Sequence, residues 1–136
     1  MVVQPRWTPS ESDYEQVVRD QNPWHGTGQV PEALAYRVER PLGKALWGRL
    51  LKDEPRRFHV VLGPRRVGKS TALYQTIRHL LGRVPAGRLW RLSLDHPLLM
   101  EWPLDRLVRT VMQSAKATAA EPALVRLEQL TYAKNW

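Results

Sequence analysis

The spacing of apolar positions changes several times along the chain, and each change predicts an element. Residues 1–30 are polar and are punctuated by Pro5, Pro23, Gly26 and Gly28. Within them Glu11 to Asp20 suits a short helix, with Ser10 or Ser12 as its N-cap. Asn22-Pro23-Trp24-His25-Gly26 reads as a turn, with Trp24 packed on the body of the domain and His25 in solvent. From Pro31 to Asp53 the pattern becomes helical: Leu34, Val38 and Leu42 recur at helical spacing, as do Leu42, Leu46 and Leu50. Pro41 and Gly43 interrupt this run and so predict two helices, the second ending near Asp53 ahead of Pro55.

A continuous apolar run, Phe58 to Leu62, then predicts a strand covered on both faces, as in a parallel sheet. Leu73, Ile77, Leu80 and Leu81 form one helical stripe that stops near Gly82, and Gly82 to Gly87 is a turn. Leu89 to Leu94 predicts a second strand, closed by Asp95-His96-Pro97. Pro103 suits the first turn of another helix whose Leu104, Leu107, Val108, Val111 and Met112 face inward. Ser114 to Pro122 reads as a connection rich in small residues or as a frayed helix end. The expected fold is α/β, a parallel sheet flanked by helices.

Between the first predicted strand and its helix lies Gly63-Pro64-Arg65-Arg66-Val67-Gly68-Lys69-Ser70-Thr71. The spacing Gly-x-x-x-x-Gly-Lys-Ser, in a strand–loop–helix setting, is that of a phosphate-binding loop. Gly63 and Gly68 permit backbone angles that let consecutive amide N–H groups converge on one anion. The opening of the following helix adds its positive end to the same point. Lys69 is expected to reach the β- and γ-phosphates, the Ser70 hydroxyl to ligate Mg²⁺, and Thr71 to contact the α-phosphate region. Pro64 stiffens the loop, and Arg65 and Arg66 point to solvent.

Composition narrows the picture. A chain of 136 residues fits one domain with a hydrophobic core but not two. It has no cysteine, which excludes disulfides, a thiolate zinc site and a cysteine nucleophile. Neither a signal peptide nor a membrane-length apolar run is visible, so a cytoplasmic protein without a membrane partner is expected. The net charge of +8 is compatible with nucleic acid, yet the basic residues are scattered rather than blocked together. The positive potential that a phosphate site needs already accounts for it, and nucleic acid is the less favoured partner.

Taken together, these motifs resemble the prokaryotic AAA-type P-loop ATPases that carry an extra C-terminal domain of unknown role. The likeness covers nearly the whole chain. It rests on Asn22-Pro23-Trp24, the loop from Gly63 to Thr71, Leu92-Ser93-Leu94-Asp95, and the closing run from Leu127 to Trp136. The resemblance implies ATP with Mg²⁺, and a strand at Leu124 to Leu127 leading into the two acids of a Walker B motif. This chain has Glu128-Gln129 there, where the family expects Asp-Glu. Glu128 is then the second candidate magnesium ligand beside Ser70, and Gln129 stands in the place of the catalytic base. An amide can orient a water but cannot take its proton, so the expected activity is ATP binding with weak or absent hydrolysis. Arg126 puts a charge where a buried strand wants an apolar side chain, which is costly unless it is paired or exposed. By periodicity alone 121–134 reads nearly as well as an amphipathic helix, with Pro122 in its first turn and Leu124, Leu127 and Leu130 on one side; the family match favours the strand.

Trp136 closes the sequence just after this strand, ahead of the sensor strand, arginine finger and helical lid that the family carries. The chain therefore reads as the N-terminal portion of an ATPase, a truncated frame or a decayed copy, marginally stable alone. Residues 1–30 form a polar, turn-rich segment. Residues 31–136 form a partial ATPase domain, with a helical lead-in at 31–54 and the phosphate-loop core at 57–136. Two alternatives stay open: a non-hydrolysing regulatory module that binds nucleotide, and a basic nucleic-acid-binding protein with a vestigial loop. Self-association or a protein partner is compatible with each.

Overall fold

A computed structural model describes residues 10–51, 60–62, 64, 68–118 and 120–129. Backbone contacts divide the chain into two compact units, one made of the chain up to Asn22 and from Trp90 onward, the other of Pro23–Leu89.

In the first unit, helix α1 (Glu11–Gln21) starts at Ser10, as the sequence predicts. The Ser10 backbone N–H and hydroxyl both donate to the Asp13 carboxylate, at 2.7 and 2.9 Å, which ties down the first turn. Two strands, β1 (Leu89–Ser93) and β2 (Leu124–Glu128), pair in parallel. The segment after Ala123 is therefore a strand, and the helix reading of 121–134 fails over its described part. Beyond β1 come two helices, α6 (Pro97–Met100), a single turn, and α7 (Leu104–Ser114). Leu92, Leu94, Leu99, Leu107 and Val111 form the core, with Tyr14, Val17 and Val18 of α1 packed against it. Met112, expected to face inward, is 46% exposed; it lies one position past Val111 on the helix, outside the narrow stripe that Leu107 and Val111 bury. At the rim Tyr14 and Trp102 meet at 4.4 Å between ring centroids, and the Arg106 guanidinium covers Trp102 at 3.8 Å.

One edge of β1 is occupied by side chains in place of a strand. Asn22 accepts from the Arg91 N–H at 2.5 Å and donates to the Arg91 carbonyl at 2.9 Å and the Val18 carbonyl at 2.7 Å. Gln21 repeats the arrangement two residues on, accepting from the Ser93 N–H at 2.8 Å and donating to its carbonyl at 3.3 Å. Strand residues two apart face the same edge, so the two amides satisfy four backbone groups that would otherwise invite another strand. The other edge pairs with β2, where the Leu94 N–H donates to the Glu128 carbonyl at 3.0 Å.

The second unit holds α2 (Trp24–Thr27), α3 (Glu32–Ala35), α4 (Pro41–Leu51) and α5 (Lys69–Leu81). The Asn-Pro-Trp-His-Gly stretch runs into a helical turn, α2, which ends on Gly28 at φ +72°. Trp24 is fully buried as expected, its Nε1 donating to the Leu89 carbonyl at 2.7 Å. His25 is not in solvent: it is half-buried, with Nε2 at 2.7 Å from the same carbonyl. Burial lowers its pKa from 6.5, a shift the Leu89 hydrogen bond opposes.

Two helices do occupy 31–51, but Leu34, Val38 and Leu42 form no core stripe. Val38 is 78% exposed, because the chain leaves α3 at Tyr36 (φ +55°) and helical periodicity does not carry across that break. Pro41 instead opens α4, where a missing N–H costs nothing. Gly43 makes the α4–α5 approach possible: a Cβ there would stand 2.9 Å from the Ala72 carbonyl oxygen. Helix α5 ends at Gly82 as predicted, but it buries Ala72, Tyr74, Gln75, Thr76, Ile77 and Leu80, so of the expected stripe Leu73 and Leu81 are only half-buried. At the far end of this pair Trp47 stacks on His79 at 5.3 Å, and Arg83 lies over its ring at 4.4 Å.

The strand expected at Phe58 to Leu62 is not seen in its described part. Residues 60–62 belong to no strand, and Val60 and Leu62 are 74% and 87% exposed. A parallel strand needs a neighbour to take up its backbone groups, and the sheet formed by the described residues holds β1 and β2 alone. Phe58 and His59 lie outside the described residues.

Candidate functional site

Of the predicted phosphate loop, Pro64 and Gly68 to Thr71 are described, whereas Gly63, Arg65, Arg66 and Val67 lie outside. Gly68 takes φ +91°, a left-handed angle that disfavours a side chain. Its carbonyl accepts the Ala72 N–H at 2.9 Å, and the 13-residue helix α5 begins at once. The first-turn residues are those the motif needs: Lys69 half-buried, Ser70 exposed and Thr71 half-buried. The first N–H groups of a helix have no partner within it, so this end of α5 carries a positive potential.

A second cation is brought to the same place from a distant part of the sequence. A Cβ at Gly68 would lie 3.3 Å from Arg40 Cζ and 3.4 Å from its Nε, so the guanidinium rests against the glycine. Arg40 is fixed through its backbone. Its N–H donates to Gln75 Oε1 at 2.7 Å, and its carbonyl accepts from the Gly43 and Lys44 N–H groups at 3.1 and 3.4 Å, opening α4. The buried Gln75 amide also donates to the Ala35 and Val38 carbonyls, each at 2.7 Å. One side chain of α5 thus holds the whole 35–40 connection against the helix that carries Lys69 and Ser70. Among the described residues no carboxylate pairs with the Arg40 guanidinium.

The other candidate residues sit at the end of β2. Alternation along the strand puts Arg126 and Glu128 on one face, and Arg91 reaches that face from β1. Arg91 Nε donates to Glu128 Oε2 at 2.7 Å, its Nη2 pairs with the same oxygen, and Arg126 Nη2 pairs with Glu128 Oε1. The three side chains are 18%, 12% and 6% exposed for Arg91, Glu128 and Arg126 respectively. The charge at position 126 is buried and paired, one of the two conditions under which the sequence tolerates it. Gln129 follows at φ +57° with its side chain exposed, and leaves the strand at that point.

For a metal, among the described residues no group of three or more His, Cys, Asp or Glu side chains converges. An ion carried in by a polyphosphate keeps several waters and takes few protein ligands, and Ser70, exposed in the first turn of α5, has a hydroxyl oxygen that can serve as one of them. No described helix is long and apolar enough to cross a membrane.

Sequence reasoning placed a helix after Gly68 and a strand at Leu124 to Leu127 but missed Gln75, Arg40 and Arg91 as organisers. Their contacts span 35 to 69 positions in sequence or run to backbone groups, and hydrophobic periodicity carries no signal of either kind. The Asn22-Pro23-Trp24 motif was visible; its work, tying the Arg91 backbone and the Leu89 carbonyl, was not.

Residues 55–136 match the sequence profile of a family described as an AAA domain. No curated protein and no solved structure matches the chain.

Proposed function

The chain belongs to the AAA-domain family, whose members are nucleotide-binding, ATPase-like proteins, and we propose that it binds Mg-ATP through Gly63 to Thr71. One observation carries the reading: a left-handed Gly68 opens a long helix whose first turn presents Lys69 and Ser70. Lys69 takes the β- and γ-phosphates as a point charge, the loop amides cradle them, and Ser70 contributes its hydroxyl to the metal. The Arg40 guanidinium against Gly68 adds to the positive potential of that opening. Bound magnesium supplies charge neutralisation of the triphosphate; the residues above bind and orient it. A preference for ATP over other nucleotides rests on family membership.

Turnover is proposed to be weak or absent. Gln129, at the position of the general base, can orient water but cannot accept its proton. Titration with a fluorescent ATP analogue tests binding: saturation is expected for the natural chain and its loss for Lys69→Ala, while a natural chain that does not saturate contradicts the proposal. Phosphate release tests the rest. Gln129→Glu is expected to raise the rate, and an unchanged rate removes Gln129 from that role.

A further inference from the structure

We infer that Glu128 is not a magnesium ligand but the shared anion of a buried arginine–carboxylate–arginine triad, Arg91–Glu128–Arg126. The metal half of this inference rests on the nucleotide reading above; the triad stands on its own contacts. Both carboxylate oxygens are engaged, Oε2 by Arg91 and Oε1 by Arg126. Two guanidinium groups thus already face this one carboxylate. A magnesium ion demands its own close, near-octahedral oxygen ligands, and to reach this carboxylate it must displace a guanidinium or sit beside two. Displacement would break an ion pair of a guanidinium that is 6% exposed, and breaking a buried ion pair from one side is strongly destabilising.

The local sequence agrees with this assignment. Arg126 is costly in a strand unless an anion shares its face, and the alternation of β2 supplies one two residues later. Arg91 is held for the same purpose, its backbone N–H and carbonyl both fixed by Asn22. The position that the family gives to a metal-holding acid is here spent on joining β1 to β2. The metal that accompanies nucleotide is then held by the phosphates and Ser70, with no carboxylate from β2.

The test measures ATP affinity with saturating magnesium and with EDTA, and takes the ratio for the natural chain, Ser70→Ala and Glu128→Gln. Ser70→Ala is expected to reduce the magnesium enhancement about tenfold. Glu128→Gln is expected to leave it within about twofold while lowering the thermal midpoint by about ten degrees or more, since both guanidinium groups lose this carboxylate. A tenfold loss of magnesium enhancement in Glu128→Gln with an unchanged midpoint overturns the inference. If Glu128→Gln does not fold, the paired change Glu128→Leu with Arg126→Leu removes both buried charges together, and the same ratio decides. A natural chain that binds no ATP refutes the nucleotide reading, and the midpoint alone then judges the triad, an unchanged value overturning it.

Discussion

Two buried polar hubs, one in each unit, solve the same problem in different chemistry. Gln75 is neutral. Its three hydrogen bonds go to the backbone at Ala35, Val38 and Arg40, and the groups expected to meet a ligand, Lys69 and Ser70, lie elsewhere on the same helix. Glu128 is ionic, and both its carboxylate oxygens meet guanidinium groups, Oε2 that of Arg91 and Oε1 that of Arg126. The first hub holds a connection against the opening of a helix; the second joins two strands. An amide that satisfies backbone groups costs little desolvation, whereas a buried ion pair regains its desolvation only while every partner is in place.

The ionic hub is the place for the largest effect. Removing the anion alone, Glu128→Gln, is expected to destabilise by about 3–5 kcal/mol. The double change Glu128→Leu with Arg126→Leu is expected to cost much less than the sum of the two single changes. Urea denaturation of all four proteins closes the cycle, and additive costs would show that the pair is not coupled. Gln75→Leu comes next. It leaves the Arg40 N–H and two carbonyls to find water or go without, at about 2–4 kcal/mol. It should also loosen Arg40 from Gly68, so ATP affinity is expected to fall with stability. A cost below about 0.5 kcal/mol would mean that the 35–40 connection is held by other contacts.

These hubs also mark the limit of what could be read from the residues. The helix from Glu11, the extent of α5 and the strand from Leu89 were legible, because local period and end signals agree there. The Leu34–Val38–Leu42 stripe was misleading, because equal spacing looks the same whether or not the chain breaks at Tyr36. At 121–134 periodicity left helix and strand nearly even, and Arg126 was the informative residue: a charge in an apolar run announces a partner without naming it. Neither Arg91 nor Gln75 could be named in advance, since each acts across dozens of intervening residues. Of the candidate site, the Lys69–Ser70 turn was readable outright and its Arg40 neighbour was not.

The smallest effect belongs to His25. Its folded pKa lies below the unfolded value of 6.5, so the unfolded chain binds more protons between the two values. Its contribution to stability is therefore complete above pH 6.5 and is lost as pH falls through the folded value. The thermal midpoint is expected to drop slightly from pH 7 to pH 5, and less in His25→Asn; equal drops would show that other groups control the slope.

The most direct measurement is calorimetric titration of the folded chain with ATP and magnesium. Saturable heat at one site is expected, abolished by Lys69→Ala and retained in a folded Glu128→Gln variant. No saturable heat from a folded natural chain would contradict the proposed binding.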